Sequence, residues 1–443
     1  MLKTLRLLVF AIFINFSAMA DFQIIRDAET EEVLTSIIKK IFKVAGLRPE
    51  SAHVFIINSV ELNAFTVGNG YIFINSGLIL RYPNPLHLTA ILCHEVGHMA
   101  AGHITRRIAM IQERSRNFGV AALAGILGGL LGGGSTMAIA TLLGYAETDI
   151  RMYLRFSRDE ELAADALAAE YLKKLGYGAD ILIEAFYVFQ NADIINAYSN
   201  IPDYVSTHPK TPIRINALNK HRTGKKYTAG EKLQKSYKRV LMKLRTYLND
   251  DFLHLTATNA PLDDYSRAIQ FHKFGRTKEA IKILEELVKK SPQDVYYRET
   301  LAQTFYEDGQ LQKSINLYKD IYKVNDLIAI DYANVLIEAN QHLDLAVQIL
   351  ESRKDKCDIN IDIFRLLAKA YGKQKKYGKS YYNLAYEQVF MLNYESAYAL
   401  LQKSLDALSE EKEGSKGQED KRQKFIKNVK DFMQRIKREL KRN

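Results

Sequence analysis

Residues 84–98 read NPLHLTAILCHEVGH, and this stretch decides how the first half of the chain is built. The Asn-Pro pair at its start signals a helix, because Asn caps helix N-termini and Pro is favoured at the first helical position. The apolar residues that follow predict a helix reaching about Glu113. His94 and His98 are four residues apart on it, so both imidazoles lie on one face.

The H-E-x-x-H pattern of residues 94–98 predicts one zinc ion per chain. Imidazole and carboxylate groups bind zinc well and leave one coordination position open for water. Such a bound water has a pKa of about 7, so hydroxide becomes available at neutral pH. Glu95 lies about 100° around the helix, where it can accept the water's proton and pass one to a leaving amine. The alternative is a buried pair of structural histidines.

A third ligand must come from another segment, and residues 157–165 (SRDEELAAD) offer two glutamates. Ser157 and Glu160 have the spacing of a capping box, which turns Glu160 back toward the helix end. Glu161 is then left to face the metal, and we predict it as the third ligand. Asp165, four residues on and on the same face, can accept the second ring N–H of a ligand histidine.

Two further histidines are less well defined by the sequence. His103 is five residues past His98, about 140° around a continuous helix, so we predict that it is structural and outside the metal site. His208 lies in the Ser-Thr-His-Pro sequence of residues 206–209. A lone His before Pro is usually a loop residue, and the pattern alone leaves its function open.

The segments that precede the metal helix predict a small sheet. Residues 24–46 have apolar side chains at helical spacing and end on a glycine. Residues 53–57 (HVFII) and 71–74 (YIFI) are β-rich, and the Gly-Asn-Gly sequence of residues 68–70 is a turn signal.

Residues 117–146 contain eight glycines and no charged side chain. Their length alone would permit a membrane span. The glycines interrupt a helix, however, and the stretch lies in sequence between the two halves of the metal site. We predict an amphipathic or interfacial flap over the cleft, with a membrane span and a plain buried loop as the alternatives.

The second half of the chain repeats with a period near 34 residues, which is typical of tetratricopeptide repeats. Small residues recur where paired helices would cross. The first two copies agree at an offset of 34, and later copies are looser: Ala268, Gly275 and Ala280; Ala302, Gly309 and Ser314; Ala333, Asn340 and Ala346; Ala368 and Ser380. About four units and a C-terminal cap are expected. The pair Ala385 and Ala397 is out of phase, which leaves a fifth unit ambiguous.

The last 23 residues form a basic tail. They hold ten Lys and Arg against two Asp and Glu, within a net charge of +11 for all 443 residues. The body of the chain is therefore close to neutral, which argues against a nucleic-acid-binding face. The tail also has one apolar stripe: Phe425, Val429, Phe432, Ile436 and Leu440. A helix that caps the last repeat is one interpretation, and a helix that also contacts an anionic surface is the other.

The N-terminus resembles a secretory signal. Lys3 and Arg6 precede an apolar run over residues 7–16, and small residues at Ala18 and Ala20 predict cleavage after Ala20. An uncleaved anchor is the alternative. The two cysteines, Cys93 and Cys357, exclude a disulfide scaffold and a thiolate zinc site, and we predict both as unpaired.

These motifs together resemble the M48 family of zinc metalloproteases, in the form that carries C-terminal tetratricopeptide repeats. The resemblance covers nearly the whole mature chain and is carried by five segments: Asn63-Ala64-Phe65, residues 72–78, His94–His98, Glu161–Asp165, and Ser206–Pro209 with Arg214. One departure is the turn after Phe65, where a Pro-Gly-Gly-like stretch is replaced by the TVGNG of residues 66–70.

The resemblance implies roles for further residues. His94, His98 and Glu161 correspond to the zinc ligands and Glu95 to the catalytic base. His208 corresponds to a loop His that stabilises the transition state or binds the metal and keeps the enzyme latent, with Arg214 beside it. The resemblance also implies that Asn63, Ala64 and Phe65 lie on the strand that pairs with substrate.

The expected fold is α+β and mostly α, with a gluzincin-type metalloprotease domain containing a small sheet and an all-α repeat solenoid after it. The predicted divisions are a signal peptide (1–20), a protease domain (21–220), a linker (221–260), a repeat domain (261–410) and a basic tail (411–443). The resemblance implies a periplasmic zinc endopeptidase that degrades misfolded or stalled outer-membrane proteins and binds the β-barrel assembly machinery through its repeats. The alternative is a repeat-based chaperone or scaffold with a latent metal site.

Overall fold

The computed structural model describes residues 24–68, 70–107, 156–196, 208, 212–248, 263–354, 361–391, 393–410 and 416–440. The predicted signal segment, the glycine-rich stretch 117–146 and Cys357 lie outside these residues. The chain divides into two compact units, Met1–Leu244 and Arg245–Asn443. None of the described helices combines the length and the hydropathy that a membrane span needs.

The first unit contains a four-stranded sheet in the order β1-β2-β4-β3. Its strands are β1 (Ile24–Ile25), β2 (His53–Ile57), β3 (Ala64–Gly68) and β4 (Tyr71–Asn75). Strand β4 pairs in parallel with β2 and antiparallel with β3. Strand β3 is thus at the edge of the described sheet.

The described α-helices of the first unit include α1 (Ala28–Ala45), α2 (Ser76–Arg81), α3 (Pro85–Ala100), α4 (Arg158–Lys174), α5 (Asp180–Asn196), α6 (Pro212–Asn219) and α7 (Glu231–Leu248). Helix α3 is the predicted metal helix, and Asn84 caps it by accepting a hydrogen bond from the backbone N–H of Leu86. It is buried on nearly all sides between α1, α4, α5 and β3. The predicted metal site therefore lies in the core.

Helix α3 ends at Ala100 and not near Glu113 as predicted. Gly102 has a φ of +68°, a left-handed conformation that turns the chain before residues 103–107 become helical again. The direction of the chain after His98 is therefore not that of a continuous helix.

Part of the segment interpreted as a linker is a helix of the first unit. Helix α7 buries Tyr237, whose hydroxyl donates a hydrogen bond to the carbonyl of Tyr82 at 2.9 Å. Arg239 on the same helix forms an ion pair with the buried Glu29 of α1. Because these side chains fix α7 to the unit's core, its residues up to Leu244 do not act as a free connector.

The second unit is a series of paired helices, which confirms the helical-repeat prediction. Its helices are α8 (Asp264–Lys273), α9 (Thr277–Lys290), α10 (Val295–Glu307), α11 (Leu311–Ile321), α12 (Asp326–Glu338), α13 (Leu343–Glu351), α14 (Ile361–Lys373), α15 (Tyr377–Phe390), α16 (Tyr394–Glu410) and α17 (Lys416–Leu440).

The small residues of the repeats lie where paired helices cross. The predicted alanines at positions 268, 280, 302, 333 and 346 are all buried. Ser314 Oγ donates to the carbonyl of Ala302 at 2.7 Å, and Ser380 Oγ donates to that of Ala368 at 2.8 Å. The same twelve-residue contact thus recurs in two pairs, because a small side chain lets the backbones approach.

Helix α17 carries the apolar stripe of the tail. Val429, Phe432 and Ile436 are buried against helices α15 and α16, and Phe432 stacks on Tyr386 with ring centroids 4.3 Å apart. This is the packing expected of a capping helix.

Candidate metal centre

The start of α4 decides which glutamate faces α3. Ser157 Oγ accepts a hydrogen bond from the backbone N–H of Glu160, and Glu160 Oε2 accepts one from the backbone N–H of Ser157 at 2.8 Å. Arg107 holds the same carboxylate at 2.8 Å. Glu160 is therefore turned to the helix end, and the next residue, Glu161, is buried against α3.

Helices α3 and α4 approach closely at Gly97. A Cβ atom at this position would lie 2.9 Å from the carbonyl oxygen of Ala164, which is backbone and cannot move aside. The absence of a side chain at Gly97 lets the two histidines of α3 come within reach of Glu161 on α4.

The nitrogen and oxygen atoms of these three residues surround one point. His94 Nε2 lies 3.1 Å from His98 Nε2, and each lies 3.4 Å from an oxygen of Glu161. A tetrahedral divalent ion with bonds of about 2.0–2.1 Å separates its ligands by about 3.3 Å. The three buried donors thus fit an ion of zinc's size.

His208 adds a fourth donor from a distant part of the chain. Its Nδ1 lies 2.9 Å from Glu161 Oε1 and 3.3 Å from His94 Nε2. The donor atoms of all four residues lie within 4.8 Å of one another, and all four residues are buried. Four protein donors form a closed coordination set, whereas a catalytic site keeps one position for water.

Asp165 and Arg214 contact the donor residues and orient them. Asp165 Oδ1 lies 2.9 Å from His94 Nδ1, on the ring side opposite the cluster. Arg214 donates from Nε and Nη2 to the two oxygens of Asp165 at 2.7 and 2.8 Å, and its Nη1 lies 2.6 Å from Glu161 Oε2. One guanidinium therefore neutralises two buried carboxylates and fixes the orientation of both.

Burial and the neighbouring charges shift the pKa values of the two buried carboxyl groups in opposite directions. Burial would raise the pKa of Glu161, but His208, His94 and His98 lower it far more, so this carboxylate is ionised. Burial likewise opposes ionisation of Asp165, yet Arg214 and His94 hold its pKa below the ordinary value. Burial lowers the pKa of His98 well below its usual range. Burial lowers the pKa of His94 too, but its contacts with Asp165 and Glu161 raise that pKa to about 9. A metal ion would therefore have to displace a proton from His94, whereas His98 is already neutral.

Glu95 lies beside the donor group and is not a member of it. The residue is buried, and its Oε1 is 3.7 Å from His208 Nε2. This is the arrangement expected of a group that acts on a water molecule at the site.

His103 is outside the donor group, as the sequence predicted, but it contacts one of the donor residues. Its Nδ1 lies 2.9 Å from His98 Nδ1, so it contacts a member of the cluster directly. The left-handed turn at Gly102 returns His103 toward the cluster. Glycine is the residue that most often takes this conformation at a helix end, so Gly102 was the sequence signal that the helix stops before His103. Phe156 stacks on the His98 ring, with centroids 3.7 Å apart.

The predicted substrate strand lies next to the metal helix. Asn63 is buried, and its carbonyl accepts a hydrogen bond from the backbone N–H of Asn75 at 2.9 Å. Ala64 and Phe65 begin β3, which pairs with β4 along one edge and packs against α3.

Comparison with known proteins identifies the first unit. The sequence model of peptidase family M48 matches residues 28–222. These residues are an M48 domain. The match includes His94, His98, Glu161 and His208, and the chain is a metalloprotease whose M48 domain implies a divalent metal.

Similarity extends beyond the M48 domain in some relatives. The β-barrel assembly-enhancing protease of Escherichia coli K12 is 22% identical over 335 residues, which cover 73% of this chain and 68% of that protein. Metalloprotease YcaL of the same strain is 27% identical over 160 residues, or 36% of this chain and 59% of that one. The crystal structure of yeast Tom70 aligns with 82% of this chain and 83% of its own at 12% identity, with a TM-score of 0.27 that is too low to show a shared fold.

Proposed function

We propose that the chain is a zinc-dependent endopeptidase of periplasmic quality control that degrades misfolded or stalled outer-membrane proteins. The observation that carries this proposal is the convergence of His94 and His98 with Glu161 around one point, with Glu95 beside them. The similarity over most of the chain to a protease named for β-barrel assembly supports the location and the substrate class.

The proposed mechanism assigns one task to each group. His94, His98 and Glu161 would hold the zinc ion, which supplies a Lewis acid and a water of lowered pKa. Glu95 would act as the general base that takes a proton from the attacking water and as the acid that returns one to the leaving amine. Asp165 Oδ1 lies 2.9 Å from His94 Nδ1, where it would accept the second ring hydrogen and so direct Nε2 toward the cluster. Arg214 keeps Asp165 and Glu161 ionised and in place.

An extended substrate would bind along β3. Strand β3 is at the edge of the described sheet and packs against α3, so a peptide added beside it would run past the metal helix. Backbone hydrogen bonds from alternate residues of β3, beginning with one of Ala64 and Phe65, would hold it without regard to its side chains. This suits an enzyme that acts on unfolded chains, and the buried Asn63 would support the start of the strand.

His208 would keep this site latent. Its Nδ1 is close enough to Glu161 and His94 to complete a four-donor set, which leaves no position for water. Hydrolysis therefore requires His208 to withdraw. Replacement by Ala should raise the basal rate of proteolysis if His208 blocks the site, and lower it if His208 stabilises the transition state.

The helical repeats would supply the partner-binding surface. Stacked helix pairs form extended concave surfaces suited to protein recognition. The proposed partner is the β-barrel assembly machinery or a stalled barrel precursor. The second candidate function, a periplasmic chaperone or scaffold with a latent metal site, is favoured by the closed four-donor set itself.

The decisive experiment compares several samples of the purified mature protein with an unfolded polypeptide as substrate. Wild type should cleave it slowly, because His208 must first withdraw, and His208→Ala should cleave it faster if His208 blocks the site. Glu95→Gln should bind one zinc per chain and leave the polypeptide intact, because an amide cannot accept the proton. Chelator-treated wild type should also be inactive. Glu184→Gln, a change at a half-exposed glutamate that pairs with His87, serves as the control and should behave like wild type. If wild type and Glu95→Gln both leave the substrate intact but suppress its aggregation, the chaperone function is favoured.

A further inference from the structure

Helix α17 has two faces of opposite character, and only one is used in the fold. Its apolar stripe is buried in a cluster with Ala385, Val389, Ala397, Leu401 and Leu408. That stripe is not available to enter a lipid layer while the unit is folded. Any contact that α17 makes with another surface must use its polar face.

The polar face of α17 is strongly basic. Between residues 421 and 438, every exposed side chain is polar, and seven of them are cationic: Lys421, Lys424, Lys427, Lys430, Arg435, Lys437 and Arg438. The exposed carboxylate described in this stretch is that of Asp431. None of the seven forms an ion pair with another described residue, whereas Arg422 is paired with Glu419 at 2.9 Å.

We propose that this basic face binds an anionic phospholipid surface by charge alone. A helix of 25 residues extends about 37 Å, so its lysines can contact several headgroups at once. Basic residues close to an anionic bilayer each contribute to adsorption, and no apolar insertion is needed. The inference is independent of the peptidase activity.

The composition of the face favours lipid over an acidic protein. Protein interfaces concentrate their binding energy in buried aromatic and apolar anchors and are depleted in Lys. The exposed positions from Lys421 to Arg438 include no aromatic or aliphatic residue, and four of the seven cations are Lys within residues 421–430. A diffuse surface of negative charge fits this pattern better than a shaped pocket does.

The test measures binding of the full-length protein to vesicles of phosphatidylcholine with and without added phosphatidylglycerol. Wild type should bind the anionic vesicles at about 0.1 M salt and release them at about 1 M, where the screening length falls to about 3 Å. A single variant that combines four substitutions should bind them at least about tenfold more weakly. The four are Lys424→Gln, Lys427→Gln, Lys430→Gln and Lys437→Gln. The thermal unfolding of this variant should be unchanged, because these side chains are exposed and the apolar stripe is intact.

The matched control removes the same charge from another exposed helix of the same unit: Lys278→Gln, Lys282→Gln, Lys289→Gln and Lys290→Gln on α9. It should bind like wild type. Equal loss in the two variants would show a general effect of net charge and would overturn the proposal. So would binding that is equal with and without phosphatidylglycerol. Binding to polyglutamate beads together with none to anionic vesicles would assign the face to an acidic protein instead and would also overturn it.

Discussion

His98 and His103 face each other through their Nδ1 atoms, which are 2.9 Å apart in the interior of the M48 domain. At this distance one nitrogen donates and the other accepts. If His98 is to offer the lone pair of Nε2 to a metal, its hydrogen must lie on Nδ1, and His103 Nδ1 must then accept it. His103 is thus placed to fix both the tautomer and the ring orientation of His98.

We therefore expect His103→Ala to weaken zinc binding by about 10–100-fold, because the ring of His98 loses its partner. His103→Gln should recover part of the affinity, since its amide oxygen can accept the same hydrogen bond. Competition with a chromophoric chelator measures both. His87→Ala is the control. His87 is on the same helix as His98, but its Nε2 lies 3.2 Å from Glu184 Oε2 and it is not part of the cluster. Wild-type affinity in His103→Ala would contradict the assignment.

Removal of the Arg214 guanidinium should destabilise the metal-free M48 domain. Arg214→Met leaves the buried carboxylates of Asp165 and Glu161 without their shared cation, which should cost about 3–5 kcal/mol in the free energy of unfolding. Urea unfolding in the presence of chelator measures this cost. The comparison is Arg222→Met, whose side chain is 54% exposed and lies 3.4 Å from Asp180. That change should cost no more than about 1 kcal/mol, and equal costs would refute the prediction.

Asp180 should make stability depend on pH in the acid range. Burial would raise its pKa, but hydrogen bonds from Thr223 and from the backbone N–H of Gly224 lower it to about 2, from an ordinary 3.8. A lowered folded-state pKa means that the carboxylate stabilises the fold above about pH 4. This contribution, about 1–2 kcal/mol, is lost as the pH falls toward 2.

Asp180→Asn should accordingly be less stable than wild type at neutral pH, and the difference should shrink below about pH 4. Chemical unfolding at several pH values gives the difference directly. Asp159→Asn is the control, because Asp159 is an exposed aspartate of the same unit. A constant difference between Asp180→Asn and wild type across the acid range would show that charge is not the cause.

Lys375 occupies a left-handed backbone conformation that two other repeats give to glycine and a third gives to Asn340, whose φ is +53°. The φ of Lys375 is +60°, and the glycines in the corresponding turns, Gly275 and Gly309, have φ values of +78° and +80°. Lys375→Gly should stabilise the second unit by about 0.5–1 kcal/mol, because the strain of a left-handed side-chain-bearing residue outweighs the entropy that glycine adds to the unfolded chain.

Thermal unfolding measures the effect of Lys375→Gly, and the adjacent lysine offers the control. Lys376 has a φ of −91°, so Lys376→Gly should bring no gain in stability. A lower melting temperature for Lys375→Gly would mean that the exposed Lys375 side chain makes a stabilising contribution larger than the backbone strain.

The sequence predicted those parts of the site that are local in the chain. Helix caps are set by neighbouring residues, so the start of α3 at Asn84 and the turning back of Glu160 could be deduced without a structure. The repeat period likewise predicted the buried small residues of the second unit. Each of these features depends on spacing within one or two helices.

Features that depend on tertiary packing were missed or left open. The contact between His103 and His98 was missed because helix geometry was extended past Gly102, where the chain turns. Helix α7 was taken for a linker because its polar composition concealed Tyr237, Val240 and Leu244 at helical spacing. His208 could not be placed from its residue pattern, since its contact with Glu161 joins positions 47 residues apart.

In this chain the H-E-x-x-H motif also requires a glycine at its fourth position, Gly97. The motif admits any residue at its third and fourth positions, yet in this chain the fourth sets the thickness of the layer between two helices. An added methyl group would act as a wedge between α3 and α4, and it would separate the histidine pair from Glu161 without altering any donor. The spacing of the donor atoms therefore depends on the missing Cβ of Gly97. A sequence could keep all the ligand residues and still lose the site through a substitution at this position.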